Sequence, residues 1–143
     1  METGDVLLVD DRAGARSSLR ALIADACEAR VDEVEDERAL LAELARGRSL
    51  RVAVILWELK DGGGLAAAKA MWLLAPRTPV VFVTARSDVD GDFSSRLSAQ
   101  RAPVALLELP LRRWDLRAAF AKLGVIAGKD APGDADDTVR GGA

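Results

Sequence analysis

The chain has 143 residues, half of them apolar and 30% charged, which fits one globular domain able to bury a sizeable core. Its net charge of −3 argues against a nucleic-acid or anionic-membrane surface, and the absence of histidine excludes imidazole acid/base chemistry, His-ligated zinc and a phosphohistidine role. No apolar run is as long as a bilayer span, the N-terminus lacks a secretion pattern, and Cys27 has no partner for an internal disulfide, so a cytoplasmic location is the expectation.

The first element is a short strand, Asp5 to Val9, apolar from Val6 on, that ends on Asp10-Asp11. Leu19, Leu22, Ile23, Ala26 and Cys27 follow at helical spacing and form one apolar face. Residues 31–34 are partly polar and read as an edge strand. Asp36 is placed to cap a second helix, with Leu40, Leu41, Leu44 and Ala45 facing inward and Gly47 as its stop. Residues 52–57 are six unbroken apolar positions, too continuous for a half-exposed strand, and read as the centre of a parallel sheet. That run ends on Glu58 and a glycine-rich turn, Gly62-Gly63-Gly64, which lacks the Lys-Ser/Thr of a phosphate-binding loop. Residues 65–74 form a third helix and residues 79–84 a fourth strand, with Pro79 at its start. Residues 87–100 are polar, carry Gly91, and predict a short or mobile fourth helix anchored by Phe93 and Leu97, with Val89 a weaker third anchor. Residues 104–107 make a fifth strand, closed by Leu109-Pro110. Leu116, Phe120 and Leu123 mark a last helix, with Asp115 near its start. From Ala127 the composition turns to Gly, Ala, Asp and Pro.

Five strands alternating with five helices predict an α/β fold: a doubly wound, flavodoxin-like, five-stranded parallel sheet of order 2-1-3-4-5. The domain is expected over 1–124, with 125–143 a disordered tail or linker. The ends of the first and third strands then lie side by side, which brings Asp10, Asp11 and Glu58 together, with Thr84 on the next strand.

In this order and at these spacings, the Val6-Leu-Leu-Val-Asp10-Asp11 strand, the strand ending at Glu58, Val80-Val-Phe-Val-Thr84-Ala85, and Leu109-Pro110 resemble the receiver domain of two-component response regulators. The resemblance covers about residues 5–124. It implies a phosphoacceptor at Glu58, where the family carries an aspartate. It implies Asp10 and Asp11 as the acidic pair for magnesium, and Thr84 as the hydroxyl that bonds phosphoryl oxygens. Three positions depart from the family. Glu58 replaces the aspartate, Leu109 the lysine that neutralises charge, and Leu106 the aromatic residue that rotates on activation. A second alignment places Trp57 at the acceptor position, but Glu58 keeps the strand length and the following Leu59-Lys60.

Glutamate moves the nucleophilic oxygen by about 1.5 Å, roughly one bond length. Phosphoryl transfer depends on positioning and charge neutralisation, so an error of about an ångström costs on the order of 100-fold. Loss of the lysine removes a fixed charge from the developing anion. The expectation is an atypical receiver, a pseudo-receiver, that is not phosphorylated in the conventional way and acts as a signalling interaction module. It is not expected to be an enzyme or to require a cofactor, and magnesium binding should be weakened. Without the lysine, the three carboxylates need another cation or one raised pKa. Arg12, Lys60 and Arg86 are near enough in sequence to be candidates; Arg86, two residues past Thr84, is the first, and for Arg12 and Lys60 a solvated surface residue is the favoured reading.

The implied partners are a histidine kinase or an effector domain, and a second copy through the face of the fourth helix, fifth strand and fifth helix. Membrane contact is not expected, and DNA contact is disfavoured for want of a basic recognition helix. Trp57, Trp72 and Trp114 read most simply as packing residues, with an exposed interface anchor as the alternative for Trp114 near the start of the last helix. One alternative is a phosphorylatable receiver that uses Glu58 or Asp61. Another, of a different class, is a metal-dependent phosphatase-like hydrolase on the same carboxylates.

Overall fold

A computed structural model of the chain describes residues 5–89, 93, 96–97 and 102–126. The strands are β1 (Asp5–Val9), β2 (Val31–Val34), β3 (Leu50–Leu56), β4 (Val80–Thr84) and β5 (Val104–Glu108). The helices are α1 (Ala13–Cys27), α2 (Glu37–Ala45), α3 (Gly63–Leu74) and, as the closing helix, α4 (Arg113–Lys122). All strand pairs are parallel, in the order β2-β1-β3-β4-β5. The predicted sheet is therefore present.

Continuous apolar strands bury both faces, because helices cover a parallel sheet on both sides. Val6 to Val9 in β1 and Val80 to Val83 in β4 are fully buried, as are Val52 to Ile55 in β3. Helix α1 packs against α4, and α2 against α3. Right-handed crossovers put one pair on each face of this strand order. Phe82, Phe120, Ile23, Leu40 and Met71 are among the largest fully buried side chains, each contributing about 1.5–3 kcal/mol by removal from water.

Local chemistry sets the helix ends. Asp36 Oδ1 accepts from the Ala39 N–H at 2.9 Å, the predicted cap of α2. Leu40 is buried and Leu44 half-buried, but Ala45 is exposed, because α2 reaches solvent in its last turn. Arg117 in α4 donates to the Ala26 carbonyl at 2.8 Å and so satisfies the end of α1. Trp57 lies just beyond β3 and meets Phe82 edge to face at 5.2 Å, while Trp72 donates its indole N–H to the Thr78 carbonyl at 2.9 Å. Cys27 is buried on α1, where burial pushes its thiol pKa up.

The turn from β3 into α3 is tight. Asp61, Gly62 and Gly63 all have positive φ, and Gly64 donates its N–H to the Trp57 carbonyl at 2.9 Å. A Cβ on Gly64 would lie 2.2 Å from the Leu56 carbonyl oxygen, so the last glycine of the run allows helix and strand end to touch. Most of the predicted fourth helix, 87–100, lies outside the described residues. Within it, Phe93 bonds back to Val89 and Leu97 to Phe93, at helical spacing. Of the predicted tail, 125–143, residues 127–143 also lie outside the described residues, while Val125 and Ile126 pack against the core, so the folded part runs two residues past 124.

Candidate functional site at the strand ends

The parallel register brings the carboxyl ends of β1, β3 and β4 to one rim. Val9 pairs with Ile55 and Leu56 with Val83, so the residues just beyond, Asp10, Trp57-Glu58 and Thr84, share that edge. Asp10 is completely buried. Its Oδ1 accepts from the Arg12 backbone N–H at 2.8 Å and from Arg12 Nε at 3.0 Å, and its Oδ2 accepts from Arg12 Nη2 at 2.8 Å. This is a two-pronged ion pair closed over two residues, the geometry a planar guanidinium favours.

Asp11 turns to another donor. Its Oδ2 accepts from the Lys60 backbone N–H at 2.9 Å and ties the β1–α1 loop to the turn after β3. Glu58 is half-buried and leans toward β4. The Thr84 hydroxyl donates to Glu58 Oε2, and the Ala85 N–H donates to Oε1 at 3.3 Å. Thr84 is fully buried, and its own hydroxyl oxygen accepts from the Arg86 N–H at 3.0 Å. Each of the three carboxylates thus has a different donor.

The guanidinium that meets Asp10 belongs to Arg12. The hydrogen bonds to Asp10 hold its pKa above the ordinary arginine value, against partial desolvation, and the charges of Asp10, Glu58 and Asp11 add to the effect. Of the three candidates in the sequence, Arg12 is the one whose side chain meets Asp10, where Arg86 is the first expectation. Arg86 pairs with Asp88 through Nε at 2.9 Å and Nη2 at 3.0 Å, and enters the site through its backbone N–H. Lys60 also enters through its backbone.

Leu109 stands where the resemblance expects a lysine. Its N–H donates to the Thr84 carbonyl at 2.7 Å, and its peptide bond to Pro110 is cis. Its side chain shares an apolar groove of about 420 Å³ with Leu19, Leu22 and Arg12. Leu106 is half-buried on β5 and lines a second groove of about 470 Å³, together with Val104, Phe93 and Trp114. Trp114 is 51% exposed. Asp61 is exposed on the tight turn.

The site must also be tested against the magnesium ion of the implied family. Magnesium takes oxygen ligands at about 2.1 Å in a near-octahedral set. Among the described residues, no three acidic or thiol side chains are grouped as a metal ion would require. Asp10 already directs both oxygens at Arg12, and Asp11 and Glu58 face different donors. The residues in this arrangement do not fit the ion.

No protein-family model matches the sequence, and no curated protein aligns with it. Solved structures do match. A response regulator receiver protein from Sinorhizobium medicae is 19% identical, with 85% of this chain and 94% of that one covered and a TM-score of 0.67. The receiver domain of a sensor histidine kinase from Pseudomonas aeruginosa, solved with magnesium coordinated in its active-site cleft, is 20% identical. Coverage there is 85% of this chain and 98% of that one, at a TM-score of 0.69. A receiver domain from Brucella abortus is 22% identical, covers 78% and 91%, and has a TM-score of 0.64. The chain therefore has the fold of a two-component receiver domain. No helix among the described residues is long and apolar enough to cross a membrane.

Proposed function

We propose that this chain is a pseudo-receiver: a signalling module that takes no phosphoryl group by the conventional route and works by contact with other proteins. The observation that carries the reading is the pairing of Glu58 with Thr84 and Ala85. In the family the chain resembles, the hydroxyl at the Thr84 position serves phosphoryl oxygens. Here a side-chain carboxylate already holds it. Before Glu58 could attack a phosphoryl donor, it would have to give up both bonds, and Leu109 offers no charge to steady the anion. Glu58 in this position imitates part of the charge that phosphorylation delivers.

The proposed partner face is the groove between β5 and α4, where Leu106 and Trp114 present apolar surface. A partly exposed tryptophan beside a groove suits a binding anchor. Its partners, on this reading, are signalling proteins such as a histidine kinase or an effector domain, or a second copy of the chain.

Incubation with a small acyl-phosphate donor and Mg²⁺, followed by intact-mass measurement, tests the central claim. The expected result is no stoichiometric gain. A gain of one phosphoryl group that disappears in Glu58→Gln or Asp61→Asn would establish the phosphorylatable alternative instead. Turnover of a phosphate ester under the same conditions would favour the hydrolase reading, which the scattered carboxylates do not support.

A further inference from the structure

Asp10 is a fully buried carboxylate, and burying such a charge is costly unless a cation and hydrogen bonds answer it. In this chain the answer is local. Arg12 meets Asp10 through one backbone and two side-chain N–H groups, at 2.8–3.0 Å, across a separation of two residues. Closing so short a loop costs little chain entropy. The guanidinium cannot lose its charge at physiological pH, and unlike a bound ion it does not exchange with solvent. We propose that Arg12 is a built-in counter-cation that stands in for a divalent metal at the strand ends, so that this acidic rim assembles without metal. The inference goes beyond the reading of Glu58, because a chain that accepts no phosphoryl group is free to bind magnesium or not.

Leu109 supports the assignment independently. Its side chain and Arg12 line the same apolar groove. A lysine at 109 would bring a second cation to that groove, against Arg12, and the two would repel. Leucine at 109 and arginine at 12 are therefore compatible substitutions: one removes a charge where the other supplies one. Lys60 does not serve as an equivalent, because it engages Asp11 with its backbone N–H.

The test is a titration of the full chain with MgCl₂ and MnCl₂ at constant ionic strength, read by thermal midpoint and tryptophan fluorescence. The wild-type chain should show no response up to about 10 mM, a level that fills ordinary carboxylate magnesium sites. Arg12→Ala should melt lower without metal, recover with metal, and bind at least about tenfold more tightly than wild type. If Arg12→Ala does not fold, Arg12→Gln, which keeps the stem and one N–H donor group, carries the same comparison. A wild-type response within tenfold of the variant's, or no response in either chain, overturns the proposal. The intact-mass result at Glu58 is read on a different atom and by a different signal, so failure of one reading is distinguishable from failure of the other.

Discussion

Thr84 donates to Glu58 and accepts from the Arg86 N–H, so it links the acceptor position to the loop after β4. Thr84→Val removes the donor and leaves Glu58 with only the longer bond from Ala85 among those described above. It also takes an acceptor from the Arg86 N–H. The expected loss is about 1–3 kcal/mol, since one partner is charged, and Thr84→Ser should restore most of it. Chemical denaturation of both variants checks this, and a Thr84→Val chain as stable as wild type would show that the bond contributes nothing. At this scale the sequence located Asp10, Asp11, Glu58 and Thr84 by strand ends alone. It offers Arg12 as one of three candidate cations but ranks Arg86 ahead of it. Asp10–Arg12 and Arg86–Asp88 are both arginine–aspartate pairs two residues apart. The difference is burial, complete for Asp10 and absent for Asp88, and a two-residue spacing carries no sign of that.

Among the elements, the turn from β3 into α3 leaves little room between strand and helix. Gly64→Ala would set a Cβ 2.2 Å from the Leu56 carbonyl oxygen, with backbone on both sides of the contact. The helix would have to shift, at a cost of about 1–3 kcal/mol or more. Gly14→Ala is the matched control. It lies in α1 with nothing within 4 Å of its Cβ, and should be neutral or stabilising by up to about 1 kcal/mol. Melting curves of the two variants decide the point: equal midpoints would mean that α3 is not held against β3. The strands themselves were legible, because unbroken apolar runs have few other homes in a soluble α/β domain. The glycine run was read as a turn into a helix, which it is. That its last residue is closely packed follows from an approach between strand and helix that spacing in the sequence does not encode.

At the scale of the whole molecule, the two ends of the sheet order differ in character. The edge at β2 is laced with ion pairs: Arg48 bonds Asp5, Asp32 and Glu43, and Arg16 and Arg20 share Glu33. A charged edge of this kind resists pairing with another strand. The side at β5 instead offers Leu106 and the half-exposed Trp114. If that face joins copies of the chain, sedimentation of the wild type should move toward a dimer with rising concentration, and Trp114→Ala should stay monomeric with its melting point unchanged. Identical sedimentation of the two chains would remove self-association from the proposed partners. The order of the sheet was readable from alternating strands and helices, but the contrast between its two flanks depends on which side chains the folded surface leaves uncovered. The contact between Glu58 and Thr84 has a consequence in time. An acyl phosphate hydrolyses and so sets its own clock, whereas a carboxylate joined to the chain through carbon persists for as long as the polypeptide does. On the proposed reading, the strength of the message is then set by copy number, and it is ended by proteolysis or by dilution at cell division.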